Sequence, residues 1–152
     1  MPEQETIERA REDEREGKSP STQAGEFVRE EIHHVREGKH GARNAKQAIA
    51  IGLSKARRAG VKLGAPNPKT SSARTRKKAA QDSARGRRRA KPSAKRSRAT
   101  EGALKREGHL AASHKALARQ AHSSAARRGK KNRVTAAKKA ARTRARERSR
   151  RS

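Results

Sequence analysis

Nine large apolar side chains, Phe27, Val28, Ile32, Val35, Ile49, Ile51, Leu53, Val61 and Leu63, fall within residues 22–63. They limit what the chain can fold into, because only 29% of its 152 residues are hydrophobic while 38% are charged. Chains of that balance rarely bury enough apolar surface to offset the entropy of ordering. The expectation is a small core of marginal stability, helped by self-association or by a bound polyanion.

The spacing within that segment is helical. Ser19 can cap a helix whose first position is Pro20, where a missing N–H costs nothing. Ala24, Phe27, Val28, Ile32 and Val35 form one face, and Gly38 supplies the stop. The stretch "AIAIGL", residues 48–53, alternates like a strand, yet its flanks read otherwise. Asn44 and Gln47 resemble a capping box, and Gly60 followed by Val61 suits a Schellman end on Ala56. On a helical wheel Ala45, Ala48, Ile49, Gly52, Leu53, Ala56 and Ala59 share a face, so a helix is expected. Ile51 falls among the basic residues, as a contact with a third helix or an exposed side chain.

Elsewhere the pattern thins. Residues 1–17 favour a charged helix with pairs such as Glu5–Arg9, docked by no more than Ile7 and Ala10. Residues 64–100, with Pro66, Pro68, Pro92 and "RGRRR", read as a basic disordered linker. Residues 101–152 read as a basic Ala/Arg-rich, helix-prone tail, with Ser113 as a cap. Aligning 36–58 with 106–128 gives nine identities in 23, but low complexity inflates such matches. Ile49, Ile51 and Leu53 become Arg119, Ala121 and Ser123, so the second copy has no core of its own. The fold class expected is mostly α with extensive disorder: a small helical hairpin over 18–63 plus basic, helix-prone tails.

Charge points to the partner. Residues 1–37 hold six Lys/Arg and eleven Asp/Glu, a net of −5, while residues 38–152 carry +33. So large a field with so little core implies a polyanion. No apolar run could span a membrane, the acidic start is not a signal peptide, and the absence of Cys suits a reducing compartment. A cytoplasmic, nucleoid location follows as an expectation.

The residues expected to contact phosphate are Lys39, Arg43, Lys46, Lys55, Arg57, Arg58 and Lys62 around the second hairpin helix, with Arg85, Arg87, Arg88 and Arg89 in the linker. Arg127, Arg128, Lys130, Lys131, Lys138 and Lys139 extend the set along the tail. Arg85-Gly86-Arg87 matches the core of an AT-hook without its flanking prolines, and otherwise serves as phosphate contacts. One Phe and no Tyr or Trp argue against base-stacking recognition of single strands, though not against structured RNA or ribosomes.

Catalysis finds no support. Glu30 and His34, like His33 and Glu37, stand one turn apart and read as solvated helix-face pairs. No phosphate loop or nucleophile–base arrangement is present, so no enzyme, metal, cofactor or small-molecule substrate is expected.

Residues 19–61, "SPSTQAGEFVREEIHHVREGKHGARNAKQAIAIGLSKARRAGV", closely resemble a family of small basic bacterial proteins of unknown function. The later "ALKREGHLAASHKALARQAHSSAARRG" is similar to the Ala/Arg-rich C-terminal part of its longer members, and the tail is similar in composition to histone H1-like bacterial proteins. The resemblance implies no particular activity.

The function expected is non-enzymatic, largely sequence-independent binding of duplex DNA, as in nucleoid condensation. The alternatives are an RNA- or ribosome-associated protein, or an adaptor whose hairpin binds another protein. Two readings of the acidic segment stand side by side: a solubilising arm, or Glu3, Glu5, Glu8, Glu12, Asp13, Glu14 and Glu16 competing with DNA for the basic residues.

Overall fold

Ser19 and Asn44 both cap helices in the computed structural model, which describes residues 2–88 and 93–151. The described residues form α1 (Gln4–Arg15), α2 (Pro20–Arg36), α3 (Ala45–Arg58), α4 (Ala73–Arg87) and α5 (Ala94–Lys105). A single 3-10 turn (Leu110–Ala112), α6 (His114–Arg127) and α7 (Gly129–Arg151) follow. The chain divides into two compact units, Met1–Leu117 and Ala118–Ser152.

Local chemistry sets the helix ends. The Ser19 hydroxyl accepts from the Thr22 N–H at 3.4 Å, and the Asn44 side chain accepts from the Gln47 N–H at 2.9 Å. Gln47 reaches back to accept from the Arg43 N–H, one residue earlier than a standard capping box. At the other end of α3 the Gly60 N–H donates to Arg57 and the Val61 N–H to Ala56, which is the Schellman pattern. Gly38 closes α2 in the same way at φ +75°, its N–H donating to Val35 and that of Lys39 to His34. The alternating "AIAIGL" is helix throughout.

In the first unit α2 and α3 pair as a hairpin, α1 lies on α2, and α4 lies on α3. Gly52 permits the close crossing: a Cβ there would stand 2.7 Å from the Val28 Cα. One apolar cluster joins Ala10 of α1, Ala24 and Phe27 of α2 and Ala56 of α3, with Leu53, Val61 and Leu63 packed around it. A second joins Ile32, Val35, Ala42 and Ala48 to Ala111 and Ala112 of the 3-10 turn. The later segment thus borrows the core of the hairpin. It is pinned there by backbone bonds from the Gly41 N–H to Leu104 and from the Ala42 N–H to Gly108, both 2.9 Å. Ile51, off the wheel's apolar face, is half-buried.

The expectation of extensive disorder is wrong for the described residues. The segment read as linker contains two helices, α4 and most of α5. Composition misleads here because α4 docks without large apolar side chains. Ala79, Asp82 and Gly86, at i, i+3 and i+7, make its buried face. Ser72 caps it, accepting from the Thr75 N–H at 3.1 Å. α5 has no buried residue and owes its form to Ala, Lys, Arg and Leu, all good helix formers.

In the second unit α7 is the longest helix described, with 23 residues, and is exposed and basic all round wherever its side chains are described. At a rise of about 1.5 Å per residue it is about 34 Å long. No helix among the described residues is long and apolar enough to cross a membrane.

Candidate nucleic-acid interface

The C-terminal turns of α3 and α4 meet. Gly86 is buried against the backbone of Arg57 and Arg58, where an added Cβ would overlap the Arg57 carbonyl oxygen. That contact gathers Arg57 and Arg58 from one helix with Arg85, Arg87 and Arg88 from the other. Buried Asp82 fixes the junction: it accepts from the Ser54 hydroxyl at 2.5 Å and lies 3.5 Å from the Arg58 Nε. Burial pushes the Arg57 guanidinium below its ordinary pKa, with Asp82 acting in the opposite sense. Arg58, Arg85, Arg87 and Arg88 remain exposed. Residues 85–87 are helical, so an extended Arg-Gly-Arg insertion is not the conformation present. Arg89 lies outside the described residues.

The other residues expected to meet phosphate are placed differently. Arg43, 3.7 Å from Glu107, and Lys46 are exposed at the N-terminal end of α3, away from the arginine junction in sequence. Lys62 is exposed but lies 3.6 Å from Glu14 of α1. Lys39 bridges Glu3 at 3.1 Å and Glu37 at 3.2 Å, and those two carboxylates raise its pKa, Glu3 foremost. In the second unit Arg127, Arg128, Lys130, Lys131, Lys138 and Lys139 are all exposed.

Lys55 is the exception. Its ammonium sits inside the hairpin, 2.7 Å from Glu31 Oε2 and 3.1 Å from Glu30 Oε1, with both carboxylates buried. Phosphate cannot reach it without disturbing α2 against α3. The same pocket holds His40, whose Nε2 is 3.2 Å from Glu31 Oε1, and His34, whose Nε2 is 2.9 Å from Glu3 Oε1. Glu30 also accepts from the Glu3 backbone N–H at 3.1 Å. His34 is therefore no solvated helix-face residue, whereas His33 and Glu37, 3.4 Å apart, are exposed.

The sequence carries a signal for this polar centre that the apolar face assigned above omits. Phe27, Glu31 and Val35 stand at i, i+4 and i+8, and all three are fully buried. A carboxylate at a core position calls for a cation across the interface, and Lys55 supplies it. Asp82 is signalled in the same way between Ala79 and Gly86.

No curated protein and no solved structure matches the chain. Residues 15–69, which take in the end of α1, the whole α2–α3 hairpin and the segment after it, match a family of unknown function, DUF6496.

Proposed function

We propose that this chain binds duplex DNA through its phosphates, with little regard to sequence, as a condensing protein of the nucleoid that catalyses nothing. The observation that carries the reading is the arginine junction. Five arginines stand on two helix ends that Gly86 and Asp82 hold in contact, which concentrates positive charge at one place on the fold. Arginine suits such a surface because its planar fork meets two phosphate oxygens at once. The tail's resemblance in composition to histone H1-like bacterial proteins agrees with this reading.

α7 supports it independently. A helix basic all round has no face to bury, and is stabilised once phosphates neutralise its charge. Its length is about that of one turn of B-DNA, roughly 34–36 Å. With its one Phe buried and no Tyr or Trp to stack bases, affinity should rest on counterion release.

The test is a salt titration on the full chain with unrelated duplexes and with structured RNA. If about eight phosphates are neutralised, log K against log[salt] has a slope near −7 on duplex DNA. Unrelated duplexes should bind within a few-fold of one another. A shallow slope would refute the phosphate reading, and a large preference for RNA would move the protein to ribosomes or other structured RNA.

A further inference from the structure

We propose that Glu31, His34 and His40 form a binding site for one divalent transition-metal cation of the zinc type. Each of the three offers a ligand atom, and the three atoms lie within 4.8 Å of one another. Tetrahedral zinc with bonds of about 2.0–2.1 Å spaces its donors roughly 3.3 Å apart. Glu31 Oε1 and His40 Nε2, 3.2 Å apart, already match that spacing. His34 has to close by a small side-chain movement.

Two further observations point to a cation rather than to a closed ion-pair network. Glu31 is fully buried, yet neither of its oxygens has a hydrogen-bond partner. Lys55 stands beside Oε2 at ion-pair distance without hydrogen-bond geometry, which leaves Oε1 to the imidazoles. His40 adds the second. Its Nδ1 lies 3.0 Å from the Gly41 carbonyl oxygen, which accepts from that nitrogen and leaves Nε2 as the ligand atom of a neutral ring. Nε2 stands 3.2 Å from Glu31 Oε1 with no hydrogen bond between them, an arrangement that a metal ion held by both atoms resolves.

The surrounding charge agrees. Four carboxylates, Glu3, Glu30, Glu31 and Glu37, share Lys39 and Lys55, so these six groups leave negative charge in excess. Glu3, bonded to His34 Nε2, is placed as an outer carboxylate that orients a ligating ring. A cleft of about 160 Å³ lined by Glu3, Glu30 and His34 among others opens on the His34 side of the centre. Two imidazoles, one carboxylate and no thiolate suit zinc, cobalt or nickel over calcium or magnesium. Bound there, the ion would clamp the loop that carries His40 onto α2, next to the bonds from Gly41 and Ala42 to the 104–108 segment.

The test uses tag-free, full-length protein stripped with a chelator and titrated with zinc chloride. Histidine ring nitrogens are followed by NMR and affinity by calorimetry. One equivalent should shift the His34 and His40 resonances, leave His33, His109, His114 and His122 in place, and raise the thermal midpoint. His40→Ala and Glu31→Gln should each weaken binding at least tenfold, and a His109→Ala/His114→Ala/His122→Ala variant should bind like the parent. Cobalt chloride should give the absorption of a tetrahedral N/O site. No heat and no shift, or shifts confined to the tail histidines, would overturn the proposal. The wild-type NMR result stands even if Glu31→Gln fails to fold.

Discussion

The carbonyl oxygen of Arg57 occupies the space that a Cβ at Gly86 would need. Alanine in place of glycine ordinarily gains about 1 kcal/mol inside a helix. Here the obstacle is backbone, which cannot swing aside, so α4 must lift from α3. Gly86→Ala should therefore lower stability by about 1–3 kcal/mol, as overpacking does. DNA affinity should fall several-fold as the five arginines separate. Denaturant midpoints and binding isotherms check this, and a stabilised variant with unchanged affinity would refute the docked junction.

A second expectation concerns Lys55. Removing one partner of a buried ion pair typically costs about 3–5 kcal/mol, whereas replacing both with apolar groups of like volume is close to neutral. Lys55→Met should be among the most destabilising single changes in the hairpin, and Lys55→Met with Glu31→Leu should recover much of the loss. DNA affinity of the folded double variant should match the parent, because the Lys55 ammonium is engaged by the buried Glu30 and Glu31. A marked loss of affinity with stability intact would return Lys55 to the phosphate surface.

Acid should loosen α1 first. A hydrogen bond from His34, then contacts from Lys39, hold the Glu3 carboxyl below its ordinary value of 4.5, and Lys39 does the same to Glu37. A carboxylate so depressed contributes stability at pH above its unfolded value and loses it as pH falls through the lower, folded one. Amide exchange in α1 should accelerate below about pH 4.5 while α3 stays protected. Glu3→Gln should remove part of this acid response. Equal acid sensitivity in parent and variant would show that other carboxylates control it.

The caps, the helical nature of "AIAIGL" and the Phe27 face were legible because each rests on chemistry within a few residues. What composition hid was docking through small or charged residues. Ala79, Asp82 and Gly86 have the spacing of a buried helix face, but their side chains are too small or too polar to count as core. Glu31 has the position of a core residue and the chemistry of a surface one, so it was legible only by position. The centre around it draws on α1, α2, α3 and the Gly38–Arg43 loop. No spacing along the chain brings His40 beside Glu31; the Schellman turn at Gly38 does that. The arginine junction likewise depends on a contact between segments nearly thirty residues apart.

The acidic helix gives the last prediction. Deleting residues 2–17 is a poor test of competition with DNA, because it also strips Ala10 and Ile7 from the Phe27 cluster. α1 is docked, so its carboxylates act as a fixed local field rather than as a flexible tether. Glu5, Glu8, Glu12, Glu14 and Glu16 are exposed, and Glu14 lies beside Lys62. Changing these five to Gln removes the charge and keeps the buried Thr6, Ala10 and Asp13. Each exposed ion pair contributes at most about 1 kcal/mol, roughly a fivefold change in binding if released. Glu14→Gln alone should thus raise DNA affinity less than about fivefold at low salt, and the quintuple variant more. Debye screening shortens from about 30 Å at 0.01 M to about 8 Å at 0.15 M, so the gain should shrink as salt rises. Parallel binding curves across the salt series would mean that α1 only completes the hydrophobic cluster.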